Sequence, residues 1–230
     1  MSGGDLEKEI LDNLINPFLL VYAALFPIVN PLGSAPVFLS FTRHCSAPIR
    51  HALAWRIGFN GFLLLLGSLF IGSHILSFFG ITLPVVRIAG GFVVTAMGWK
   101  ILNEGDQPKE GQGFSSITDE GYVEAAFYPL TMPLTVGPGS IAAAVTLGSQ
   151  RPRIFQSFSH LALIGSAAIV GLVAIAATIV ICYRFAENIE RMLGRTGTNV
   201  FVRLSAFVLL CIGVQIMWNG YSGLIVPPID

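Results

Sequence analysis

Residues 26–36 read FPIVNPLGSAP and residues 128–138 read YPLTMPLTVGP. Each begins with an aromatic residue, and Pro27, Pro31 and Pro36 recur as Pro129, Pro133 and Pro138, every pair 102 positions apart. Proline has no N–H, and its ring clashes with the carbonyl four residues back, so each copy is expected to break or kink a helix. Both copies lie inside long uncharged stretches. Two breaks at corresponding places in an apolar chain point to a site built between them.

The surrounding composition sets the medium. Of 230 residues, 53% are hydrophobic and 11% charged, against about 25% charged in an average soluble domain. Mean hydropathy is +0.73. A helix needs roughly 20 mainly apolar residues to cross the hydrocarbon core, and the pattern predicts six spans, at about 13–41, 55–78, 84–103, 124–149, 156–183 and 200–223. The expected fold is therefore an all-α membrane protein with its first and fourth helices broken at the proline motifs.

The polar, glycine-rich stretch 104–123 divides the chain near its midpoint. It reads as a solvated connection between two three-helix units, 1–103 and 124–230. An odd number of crossings reverses the start of the second unit, so the two copies form an inverted repeat. A looser likeness extends it: RIAGGFVVTAMGWKIL from Arg87 and RLSAFVLLCIGVQIMW from Arg203 place Gly98 and Gly213 one residue out of phase.

Lys8, Arg87, Arg151 and Arg153 fall on the side of the N-terminus, and Arg43, Arg50, Arg56, Lys100, Lys109, Arg184, Arg191, Arg195 and Arg203 on the other. By the positive-inside rule both termini lie outside the cytoplasm. The opening MSGGDLEKEI lacks the basic segment of a signal peptide, so the first span is expected to remain in the mature protein. Zero formal net charge argues against a nucleic-acid partner. The partners implied are the lipid bilayer and a small solute. Composition leaves monomer and homo-oligomer equally open, because lipid-facing and subunit-facing surfaces are both apolar.

Within the first break Asn30, Gly33 and Ser34 lie near the prolines; within the second lie Thr131, Thr135, Gly137, Gly139 and Ser140. Unpaired backbone in hydrocarbon costs several kcal/mol per group, so both breaks are expected to face the bundle interior. Each is followed by a new helix whose first N–H groups lack intrahelical partners at the positive end of the dipole. Those groups, with the nearby hydroxyls, form an expected carboxylate site, and the freed carbonyls an expected site for an ammonium group or a sodium ion.

No Asp, Glu, Lys or His stands at the centre of a predicted span, which argues against a side-chain proton carrier. Arg87 and Arg203 are read as interface anchors at span starts, with path lining as the alternative. Asn60 and Thr95 either bond between helices or line the path. His44, His51, His74 and His160 sit at span ends without a metal-ligand pattern, and Cys45, Cys182 and Cys211 read as small core residues, so neither metal nor cofactor is expected. The chain has no P-loop and no nucleophile elbow; an enzyme is not expected.

The motifs NPLGSAPVFL at 30–39, GITLPVVRIAGG at 80–91 and PLTMPLTVGPGSI at 129–141 resemble the signatures of the MarC family, also grouped as six-span neutral amino acid transporters. The resemblance covers almost the whole chain outside the N-terminus and the central connection. It implies an integral protein of a bacterial or archaeal plasma (inner) membrane, some relatives of which move small neutral amino acids. Its motif positions fall on Asn30, Pro31, Gly33, Pro36, Pro133, Gly137, Pro138 and Gly139. The reading is thus a secondary transporter, an exporter or exchanger of small zwitterions working by alternating access, with Na⁺ or H⁺ as the coupling ion left open. The alternatives are a channel-like pore and a non-transporting assembly protein.

Overall fold

The computed structural model describes residues 3–103, 121–149 and 158–225, the side chains of 3–14, 158–164 and 195 excepted. Most of the expected connection 104–123 lies outside these residues, as do Lys109, Arg151, Arg153, both chain ends, and the side chains of Lys8, His160 and Arg195. The order is α1 (Gly3–Val29), α2 (Pro31–Phe41), α3 (Ala47–Phe78), α4 (Leu83–Asn103), one turn of α5 (Tyr122–Ala125) running into a wide-turn segment (Ala126–Thr135), α6 (Pro138–Ser149), α7 (Phe158–Arg184) and α8 (Ala186–Ile225). No strand occurs among the described residues.

Among the described residues, four helices are long and apolar enough to cross a membrane: α3, α4, Gly165–Arg184 of α7 and Thr196–Ile225 of α8. Two further stretches pass the same test as bent pairs, Ile15–Val29 with α2 at 41° and Tyr122–Thr135 with α6 at 70°, which makes six if each pair is one span. Between 17% and 39% of each long apolar window is buried, so most of these apolar side chains face outward. Trp55, Phe92, Trp99, Phe207 and Trp218 are all more than half exposed. That distribution suits lipid as solvent and would be costly in water.

α4 packs along α8, and α3 along α7. The bent pairs fill the remaining space: α1 lies on α7 and α2 on α7 and α8, while the wide-turn segment lies on α3 and α6 on α3 and α4. The main core runs between the bent pairs and α3 and α7, through Leu25, Phe38, Leu53, Ile57, Leu130, Leu172, Ile175 and Ile179. Arg43 pairs with Glu190 at 3.3 Å and Arg50 with Glu187, which places the α2–α3 connection and the start of α8 at one end of the bundle. Gly220, near the far end of α8, lies against Pro84 and Arg87, so α4 and α8 run antiparallel.

Small residues let that pair close. A Cβ on Gly98 would lie 2.7 Å from the Leu210 nitrogen and 2.9 Å from the Ala206 oxygen; one on Gly213 would lie 2.5 Å from the Thr95 nitrogen and 2.9 Å from the Gly91 oxygen. Gly91, Thr95 and Gly98 answer Ala206, Leu210 and Gly213, each 115 positions on. Gly98 and Gly213, one residue out of phase in the sequence match, thus each lie against backbone of the partner helix.

Gly213→Val pushes a branched side chain into backbone and is expected to destabilise the protein by about 1–3 kcal/mol. Gly67→Ala, where nothing lies within 4 Å of the added carbon, is expected to be neutral or to stabilise by roughly 0.5–1 kcal/mol. Thermal unfolding in detergent measures both, and equal shifts would contradict close packing at the seam.

Candidate binding site at the two helix breaks

The first break turns on one residue. Asn30 takes φ 47° and ψ 58°, a left-handed conformation that asparagine tolerates better than most side chains. Its N–H still closes the last turn of α1 on Phe26 O at 2.9 Å, its Oδ1 accepts the Gly33 N–H at 3.2 Å, and its carbonyl accepts the Ser34 N–H at 3.0 Å. Pro31 opens α2 at a position where no donor is needed. Gly33 is required by the cap, since a Cβ there would overlap the Asn30 amide. Pro36 corrects the sequence reading: it lies inside α2 without ending it, and Pro27 likewise lies inside α1. The chain breaks only between Pro27 and Pro31.

The second break is longer. Tyr128 (φ −124°, ψ 121°) and Met132 (φ −117°, ψ 122°) are extended immediately before Pro129 and Pro133, as the ring of a following proline demands. Both proline bonds are cis. Side chains repair the ladder: the Thr131 and Thr135 hydroxyls donate to Ala126 O at 2.6 Å and Leu130 O at 2.7 Å, each five residues back. The Val136 N–H bonds Thr131 O at 2.8 Å, and regular helix resumes at Pro138.

Between the breaks lies a cavity of about 60 Å³. Of the eight residues expected to bind a ligand, Asn30, Gly33, Ser34, Thr135, Gly137, Gly139 and Ser140 line it, joined by Pro133 and Pro138. Thr131 does not; its buried hydroxyl is held on Ala126. None of the four path candidates lines it. Thr95 donates to Gly91 O at 2.8 Å within the α4–α8 seam, Arg87 lies by Gly220, Asn60 is half-buried on α3, and Arg203 is exposed. The rest of the wall, unforeseen in the sequence, is an apolar strip: Val37 of α2, Val93, Met97 and Ile101 of α4, and Val202 and Leu209 of α8.

The two breaks differ in what they leave available. The expectation that the Gly33 and Ser34 N–H groups face a ligand is overturned, because Asn30 takes both. The Ser34 hydroxyl is committed as well, to Asn30 O at 3.0 Å. By contrast, Ser140 Oγ and Asn30 Nδ2 make no hydrogen bond among the described residues, and both residues line the cavity. The first N–H groups of α6, Gly139 and Ser140, have no intrahelical acceptor. Donors thus gather at the positive end of α6, while Ile28 and Val29 at the negative end of α1 also reach the cavity. No acidic or basic side chain lines it.

Tyr183 of α7 was not legible as part of this region. It is fully buried, its hydroxyl lies 2.7 Å from Thr135 Oγ1 and 3.0 Å from Ser34 Oγ, and its ring stacks on Phe38 at 4.4 Å. A tyrosine beside Arg184 at a span end reads as an interfacial anchor. The available signal was helical spacing: Leu172, Ile175, Ile179 and Tyr183 form one buried stripe.

A family model described as MarC family integral membrane protein matches residues 15–225. The inner membrane protein MarC of Salmonella typhimurium is 30% identical over 200 residues, covering 85% of this chain and 90% of its own. The membrane protein YhcE of Escherichia coli K12 is 30% identical over 210 residues (88% and 91%), and the membrane protein PH0760 of Pyrococcus horikoshii 32% over 214 (91% and 96%). No solved structure matches. With both breaks and every long apolar helix inside the matched region, the chain belongs to the MarC family of integral membrane proteins.

Proposed function

We propose that the protein is a secondary transporter of small neutral amino acids or similar zwitterions, exposing the cavity between its two breaks alternately to either side of a bacterial inner membrane. The observation that carries this reading is the cavity's chemistry: both breaks contribute to it, uncommitted donors stand at one helix end, and no ionisable side chain lines it. An ion of net charge would be desolvated there without a counter-charge, whereas a zwitterion matches its two ends to opposed helix dipoles. At roughly 10–15 Å³ per water-sized group, 60 Å³ suits a ligand of a few heavy atoms.

The moving parts in this reading are two inverted three-helix repeats. Bends of 41° and 70° stay below a right angle and favour broken spans that continue onward over loops that return. The pairings support the repeat: α2 meets α8 as α6 meets α4, and α1 meets α7 as the wide-turn segment meets α3. Both termini are placed outside the cytoplasm, with Arg43, Arg50 and Arg56 inside.

Labelled alanine or glycine in proteoliposomes is expected to exchange faster when the same amino acid is present on the far side. Flux indifferent to the far side would mark a pore, and no flux a non-transporting protein. Asn30→Asp keeps the acceptor that caps Gly33 but turns a donor into a carboxylate facing the ligand's own, and is expected to reduce exchange at least about tenfold without loss of folding. Ser140→Ala removes one donor worth about 1 kcal/mol, roughly fivefold in affinity. Wild-type exchange in both variants would exclude the α6 end as the anion site. A reporter fused at the C-terminus is expected to signal from outside; a cytoplasmic signal contradicts the inverted arrangement.

A further inference from the structure

The hydroxyls of Ser34, Tyr183 and Thr135 form a chain that joins the first break to the second through α7, and the chain is one proton short. Ser34 Oγ lies 3.0 Å from Asn30 O, Tyr183 Oη 3.0 Å from Ser34 Oγ and 2.7 Å from Thr135 Oγ1, and Thr135 Oγ1 2.7 Å from Leu130 O. Ser34 Oγ also lies 3.3 Å from Pro31 O; counting its bond to its own turn once, four contacts are served by three hydroxyl protons, since the carbonyls only accept. If Ser34 and Thr135 each hold their backbone carbonyl, Tyr183 donates to one of them and its other contact is empty. Tyr183 grips both breaks fully only if one of those side chains releases its carbonyl.

Resting on the transport reading above, we propose that Tyr183 is the positioning residue that couples the two breaks, its O–H rotating between Ser34 and Thr135 as they rearrange. The site is built for this. Tyr183 is fully exposed to protein and not to solvent, so no water replaces the missing proton, and Phe38 stacked on the ring holds the hydroxyl between the two partners. Ser34 and Thr135 both line the cavity, so a ligand that shifts either break alters which of them receives the proton. The device is also asymmetric: α3, which packs against α7, carries no tyrosine over Ala47–Phe78.

Tyr183→Phe keeps the stacked ring and removes only the hydroxyl. Measured by alanine counterflow beside a melting curve in detergent, it is expected to slow exchange about tenfold or more, to leave half-saturation within about twofold, and to melt close to wild type. Adding Thr135→Val, which also strips Leu130 O of its donor, is expected to slow exchange by less than the product of the two single losses, because the contact to Tyr183 is already gone. Wild-type turnover in Tyr183→Phe, half-saturation rising in step with the loss of rate, or losses that multiply in the double variant would each overturn the proposal. If the wild type exchanges nothing, the transport reading fails, and coupling is judged from melting alone. Shifts for Ser34→Ala and Thr135→Val that fall short of adding support it, and strictly additive shifts overturn it.

Discussion

A peptide backbone interrupted inside an apolar bundle must find substitutes for its lost hydrogen bonds, and this requirement shapes both halves of the protein. An unmatched group costs several kcal/mol in hydrocarbon, far more than the bends themselves. The first break meets the requirement economically, with one left-handed asparagine whose N–H, carbonyl and side chain each serve a neighbouring turn. The second needs two threonine hydroxyls and a run of wide turns. The consequence is chemical as well as structural: the first break consumes its backbone donors and the Ser34 hydroxyl, leaving only Asn30 Nδ2, and the second leaves the first N–H groups of α6 and Ser140 Oγ open toward the cavity.

The frame that holds the breaks together is the α4–α8 seam, and on the repeat proposed above the two halves correspond most regularly there. The proline motifs recur after 102 positions and the seam residues after 115, so the second half carries extra chain between them. Much of it lies between α7 and the apolar part of α8, where Ala186 onward forms a polar stretch that turns at Gly194 with φ 65°. The same added stretch supplies Glu187 and Glu190, which hold Arg50 and Arg43 of the opposite half. On that proposal one insertion blurs the repeat in the sequence, and the same stretch fastens the two halves at one end.

What was legible followed from residues whose effect is local. Proline declares its missing donor, Asn-Pro announces a helix start, and the length of an apolar run announces a helix long enough to cross a bilayer, so the breaks and the polar, glycine and proline residues around the cavity could be named in advance. The role of Pro36 could not, because whether an interior proline ends a helix depends on what else supports the turn, and α2 continues past it. Tyr183 and the strip of Val93, Met97 and Val202 depend on helix register and on which helices meet, information that no short motif contains. Thr95, read as a helix contact or path lining, and Thr131, read as a ligand contact, miss the cavity for a related reason: a threonine in a helix readily bonds its own backbone, and both do.

The inequality of the breaks bears directly on what they can hold. Two identical breaks facing each other would offer the same groups from both sides and would suit a ligand with two like ends. Here the α6 side presents Ser140 Oγ and the first N–H groups of that helix, and the α1 side its carbonyl end together with Asn30 Nδ2, while Val37, Met97 and Leu209 cover much of the remaining wall. A zwitterion, the solute proposed above, has two unlike ends and no net charge. Two breaks that differ in this way provide polarity within a cavity that no charged side chain lines among the described residues, and they do so with backbone, amide and hydroxyl dipoles that need no proton or counter-ion to be in place.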